Sequence, residues 1–224
     1  MCKSILSLIF SLLLVLPLQA QKKITAAEQE ANDSVPLLRG FAVGVDLVGL
    51  VQSAVSDYGQ YEASLRLNLR DTYFPVLEAG IGRASHDDVV TLIKYESKAP
   101  YFRVGMDYNL MKDKHDNYRI YGGARYALTY FNYDVSCHDL VDPIWLDKVS
   151  TYHAEDVKCN YHWMELAVGV DAKILGPVHF GWSVRYRKRI SHQSGELGNA
   201  WYVPGFGKSG STRLGMLFIL SIDI

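Results

Sequence analysis

Alternation of apolar and polar residues constrains this chain more than any other feature. Between 61 and 70, Tyr61, Ala63, Leu65, Leu67 and Leu69 interleave with Glu62, Ser64, Arg66, Asn68 and Arg70. Successive side chains of a strand point to opposite faces, so such a segment has one apolar face and one polar face. Seven further stretches repeat the pattern. Their polar phase carries glycines and charges together, as in Arg103-Val104-Gly105-Met106-Asp107.

The alternation predicts strands at about 40–51, 59–70, 73–84, 99–110, 118–133, 159–174, 178–190 and 212–224. In the first, Phe41, Val43, Val45 and Leu47 oppose Gly44 and Asp46. The connections alternate in length. Arg70-Asp71-Thr72, Lys112 to Asn117 and Gly176-Pro177 are tight, whereas 85–98, 134–158 and 191–211 are long and 52–58 is brief. An even strand count with tight turns at one end and longer loops at the other is the pattern of outer-membrane barrels. The expected fold is therefore all-β, an eight-stranded antiparallel up-and-down transmembrane β-barrel. Tyrosine and glycine are abundant, at 15 and 18 of 224 residues, which suits strands. Net charge is −1 and no basic patch stands out, so a nucleic-acid partner is not expected.

The N-terminus fits export. Lys3 precedes an uncharged run, Ile5 to Leu18, that is short for a membrane span, and Ala20 suits cleavage. The expected organisation is a signal peptide at 1–20, a periplasmic lead segment at 21–39 and a barrel at 40–224. Cleavage removes Cys2. Cys137 and Cys159 then remain, an even pair expected to form a disulfide in an oxidising compartment and to tie the base of the longest loop.

Alternation alone does not say which face is outside. A soluble lipocalin-like barrel in the periplasm, carrying a ligand, would turn its apolar face inward. Two features favour the opposite sense. Gly44, Gly80, Gly82, Gly105, Gly123, Gly169, Gly181 and Gly215 all lie on the polar face, where a narrow lumen needs small residues beside long ones. The charges of that face are mixed in sign, as a closed lumen requires, because an unpaired buried charge is costly. The expected lumen network is Asp46, Glu62, Arg66, Glu78, Arg103, Asp107, Arg125, Glu165, Asp171, Arg185, Arg187 and Arg213. A three-residue turn at Leu175-Gly176-Pro177 would set Glu165 opposite Arg187, and a Cys137–Cys159 pair would set Arg125 opposite Asp171. On the apolar face, Phe41, Tyr73, Tyr108, Tyr118 and Phe180 lie near one end. Tyr61, Phe102, Tyr130 and Tyr186 lie near the other, which predicts two aromatic girdles.

The segments APYFRVGMDYN (99–109), HWMELAVGV (162–170), GWSVRYRKR (181–189) and WYVPGFGKSGST (201–212) resemble an uncharacterised family of outer-membrane β-barrels from Gram-negative gut anaerobes, described only as a domain of unknown function. The resemblance covers essentially the whole mature chain. It implies fold and location and supplies no catalytic residue. The final residue, Ile224, departs from the aromatic that ends many such barrels.

Three functions compete. The leading one is a non-enzymatic outer-membrane barrel with a structural or surface-interaction role, its lumen filled by charge pairs. It would contact outer-membrane lipid, and an extracellular partner would meet loops 85–98, 134–158 and 191–211. A second is a lipid hydrolase like lipid A deacylase. His192 and Ser194, two apart and followed by Glu196, would serve as base and nucleophile. A third is a narrow pore or small-ligand carrier, which needs a water-filled lumen. His86, His138, His153, His162 and His179 lack metal-ligand spacing, and the acidic residues of 138–158 lack that of a calcium loop, so no metal or cofactor is expected.

Overall fold

The computed structural model of the chain describes residues 36–114, 116–141, 149–193, 195 and 198–224, with side chains described throughout except at 138–141 and 149–152. The expected signal peptide, and the expected lead segment up to 35, lie outside these residues.

Among the described residues, ten strands and a helix follow one another: β1 (Leu38–Asp46), α1 (Leu47–Val55), β2 (Tyr58–Leu69), β3 (Tyr73–Asp88), β4 (Ile93–Asn109), β5 (Tyr118–Val141), β6 (Val149–Leu175), β7 (Val178–Gln193), β8 (Tyr202–Val203), β9 (Gly207–Lys208) and β10 (Thr212–Asp223). All but β8 and β9 join one closed barrel in the order β1-β10-β7-β6-β5-β4-β3-β2, and every neighbour is antiparallel. The expected eight-stranded up-and-down barrel is therefore the observed architecture. Its turn end carries 70–72, 110–117, 176–177 and Ile224, and its loop end carries α1 and the other connections.

The first strand differs from expectation. It stops at Asp46 instead of continuing to 51, and a nine-residue helix follows. Alternation ends there, because Leu47, Val48, Leu50 and Val51 are apolar in both phases and leave no polar face for a strand. The Asp46 carboxylate accepts from Val48 N at 3.1 Å and Gly49 N at 3.0 Å, which satisfies two of the helix's open donors.

Strands β3 to β6 are longer than expected. Most of 85–98 is paired, with Asp88 opposite Ile93, and both flanks of 134–158 are paired as far as Val141 opposite Val149. The reason is a reversal of polarity along the strands. Near the turn end the outward residues are apolar, for example Phe102, Val104, Met106 and Tyr108 on β4. Toward the loop end the same outward phase becomes Lys94, Glu96 and Lys98 on β4, Arg83, Ser85 and Asp87 on β3, and Asn132 and Asp134 on β5. The inward phase changes in the opposite sense, to Tyr95, Ala99, Tyr101, Ala127, Phe131, Tyr133, Tyr161 and Trp163, a buried cluster. Period 2 persists through the change, while a reading that follows one apolar face ends where that face turns over.

The two cysteines do not meet. Cys159 lies opposite Phe131, while Cys137 lies opposite Tyr152. Six residues of strand separate the two levels, about 20 Å at ~3.3 Å per residue, and a disulfide needs Cα atoms within about 7 Å. Both are free, buried thiols. The register that depended on their pairing is absent too: Arg125 faces Glu165, and Asp171 faces Arg119. Glu165 also faces Arg187. The turn there is the two residues Gly176-Pro177, and a register shift between Lys173 and Leu175 restores the pairing that a three-residue turn would give.

Candidate functional site

The lumen is filled by ions. Five arginines (Arg66, Arg103, Arg125, Arg185, Arg187) and five carboxylates (Glu62, Glu78, Asp107, Glu165, Asp171) are buried there. Glu78 is the hub. Arg185 grips it with two bonds of 2.7 and 2.9 Å, Arg125 Nε reaches it at 3.1 Å and Arg103 at 3.3 Å. Arg103 also bonds Glu62 and lies 3.0 Å from Glu165. Arg187 meets Glu165 at 3.2 Å, and Arg125 reaches Asp107 at 3.0 Å. Trp163 and Tyr101 donate to Glu165 and Glu62 at 2.7 and 2.6 Å. Toward the turn end, Asp171 accepts from Arg66 at 2.8 Å and Arg119 at 3.1 Å, with His179 Nδ1 at 2.9 Å. Opposite charges are equal in number among these ten residues, and each lies within ion-pair distance of a partner. A polar cavity of about 350 Å³ opens at the turn end, beside Asp71, Arg119 and His179.

Glycines give the network its room. A Cβ at Gly80 would lie 2.5 Å from the Tyr101 ring, and one at Gly169 would lie 2.7 Å from Tyr121. At Gly123 it would collide with Asp107. The lumen glycines thus sit beside long side chains.

Two residues expected in the network stand apart from it. Asp46 is the helix cap described above. Arg213 is half-buried at the loop end and donates to the Lys208 carbonyl at 2.7 Å.

The β7–β10 connection, expected as an outer loop, instead enters the barrel. Residues 200–206 are mostly buried, and Val203 and Phe206 are 0 % exposed. Phe206 packs on Tyr161 and on the edge of Trp163, with ring centroids at 5.0 and 5.7 Å. Gly205, at φ +79°, lies where a Cβ would strike the Tyr101 ring at 2.5 Å. The connection also ties into the ions: Arg103 donates to Gly205 O at 2.8 Å, and Arg187 to Phe206 O at 3.0 Å. Burial pushes the Tyr202 phenol up to about 12, so it stays a neutral donor, reaching Gly59 O at 3.2 Å. The segment therefore plugs the lumen. The available signal was its composition, since Trp-Tyr-Val-Pro-Gly-Phe is apolar for an exposed loop.

Beside the plug, a cavity of about 400 Å³ opens at the loop end between the β3–β4 hairpin, β5 and Trp201. Its walls are aromatic. His86 stacks on Trp201 at 4.5 Å, and Tyr95 stacks on Tyr133 at 5.3 Å. At its edge, the N–H groups of Val90 and Thr91 hold the Asp88 carboxyl below the usual carboxylate range.

Comparison with known proteins places the whole sequence. Residues 1–224 match a family described as a domain of unknown function, DUF6048. The chain belongs to that family. No curated protein matches it. Among solved structures, it is similar to Neisserial surface protein A at 13 % identity and a TM-score of 0.45, covering 84 % of this chain and 99 % of that one. It is similar to Ail of Yersinia pestis, solved with the heparin analogue sucrose octasulfate, at 9 % identity and a TM-score of 0.38, covering 82 % and 93 %. CarO of Acinetobacter baumannii shows 14 % identity and a TM-score of 0.40, covering 85 % and 98 %.

Of the expected hydrolase residues in this DUF6048 member, His192 lies among the described residues. His192 Nε2 lies 3.2 Å from Asn199 Oδ1, and its ring meets the Tyr161 ring. Ser194 and Glu196 lie outside the described residues. No group of three or more metal-ligating side chains converges among the described residues.

Proposed function

We propose that this chain is a non-enzymatic outer-membrane barrel that does not conduct, and that its working surface is the loop end. The reversal of polarity carries the membrane reading. Apolar side chains ring the outside over the length of strand that crosses a bilayer, about 9–11 residues. Above them the outside turns charged and the inside turns apolar, which is how a barrel leaving lipid for water would be built. The residues at 1–20 would direct export, and both chain ends would face the periplasm. Long strands then raise the β3–β4 and β5–β6 hairpins above the bilayer, beside the aromatic cleft.

The filled lumen supports a surface role over transport. Arg103, Arg185, Glu78 and Glu165 are at most 1 % exposed, and the plug lies above them. A lipocalin-like carrier would instead need an apolar cavity where these ions sit. In planar bilayers the purified barrel is expected to give no stepwise current. Regular, ion-selective steps would contradict this reading and favour the narrow pore.

A further inference from the structure

The barrel wall is interrupted at one side. β1 pairs with β10 from Ala42↔Asp223 to Asp46↔Ile219, and Phe41 and Ile224 exchange backbone hydrogen bonds at the turn end, but no pair follows Asp46 toward the loop end. β10 runs on to Thr212, and Thr212–Phe218 find ladder partners on β7 alone among the described residues. Where β1 would continue, the chain turns into α1, and the helix packs mainly on β2 and in part on β10. Gly49 lies against Gln60, and Ser53 Oγ donates to Tyr61 Oη at 2.8 Å. Between α1 and β10 there remains a cavity of about 330 Å³.

Its lining draws on both faces of the wall. Leu214 and Met216 point outward, at 70 % and 51 % exposure, while Gln60 and Arg187 point into the lumen.

The chemistry of the gap is two-sided. Val48, Leu214 and Met216 make an apolar lip, and Arg187, Lys208 and Arg213 bring positive charge. Arg187 is matched by Glu165. Lys208 and Arg213 have no carboxylate within ion-pair distance among the described residues. The Lys208 ammonium lies over the Trp201 ring at 5.1 Å, and the one carboxylate of the lining, Asp46, is occupied by the α1 N–H groups. A cationic niche with an apolar lip, beside the stretch of β10 that has no ladder partner on β1, matches an anionic amphiphile.

We propose that this gap is a lateral binding site for the phosphate headgroup of an anionic membrane lipid. The headgroup enters between α1 and β10 to meet Arg213 and Lys208, and the acyl chains lie along Leu214 and Met216. The proposal rests on the membrane reading above.

Native mass spectrometry of the protein in dodecylmaltoside, with phosphatidylglycerol or phosphatidylcholine added at equal amounts, tests it. Phosphatidylglycerol is expected to be retained preferentially. Lys208→Gln with Arg213→Gln should lower that retention at least tenfold and leave phosphatidylcholine unchanged. Gln52→Trp, on the α1 lip, should lower it by bulk with both cations intact. Equal retention of the two lipids, or unchanged retention in both variants, would overturn the site. An inorganic phosphate adduct as persistent as the lipid's would overturn the lipid assignment. A protein that stays soluble without detergent would sink the membrane reading instead, so the two failures are told apart.

Discussion

Replacing Glu78 with alanine is expected to destabilise the barrel by about 3–5 kcal/mol, the usual cost of breaking a buried ion pair from one side. The carboxylate accepts from three arginines, with its shortest bond, 2.7 Å, to Arg185. Its removal leaves three buried guanidiniums to share Glu62, Glu165 and Asp107, and the network one negative charge short. Glu78→Gln should cost nearly as much, because it keeps the volume and removes the charge. Arg213→Gln, outside the network and half-buried, should fall within about 0.5 kcal/mol of the wild type. Urea unfolding in lipid vesicles, followed by the mobility of unheated samples on SDS gels, measures all three. Glu78 variants within about 1 kcal/mol of wild type would mean that the lumen is hydrated and its charges screened.

The plug gives the second large effect. Phe206→Ala removes a ring that is fully buried against Tyr161 and Trp163, and truncating such a ring costs about 3–5 kcal/mol. The loss should appear first in the 200–206 segment, whose local opening is uncoupled from the barrel ladder. Hydrogen exchange at the Phe206 amide, which donates to Val203 O at 3.1 Å, should then accelerate by roughly two to three orders of magnitude. The β4–β5 ladder should keep its protection. Unchanged exchange would mean that 200–206 is not held by the aromatic cluster.

What the sequence disclosed depended on how each signal is written. Strand number and order were legible because period 2 is a local property, visible in Tyr61 to Arg70 without any knowledge of neighbours. The ion network was partly legible, since residues such as Glu78 and Arg185 share the phase that faces inward. Which arginine meets which acid was not, because pairing across the lumen depends on closure: Arg185 and Glu78 lie on strands that are not adjacent. The reversal of polarity hid the upper strands. Lys98 shares the outward phase of Met106 and Tyr108, and Tyr95 the inward phase of Asp107, so each face of β4 reverses in chemical character along the strand. Asp46 looked like a lumen charge by phase, yet the loss of alternation after it was the sign of a helix cap. The cysteines were misplaced by an argument from number and compartment, which carries no register. The plug was missed because a connection between strands was read as loop, whatever its composition.

Lipid is expected to surround the lower outer face and water the upper one. Glu96→Cys and Val104→Cys, on one strand and in one phase, each in a Cys137→Ser, Cys159→Ser background, compare those two environments directly. Intact cells would be treated with a membrane-impermeant maleimide. Glu96→Cys is expected to label and Val104→Cys to remain unmodified until the protein is denatured. Labelling at Val104 in intact cells at the rate seen for Glu96 would place the apolar belt in water and contradict the account.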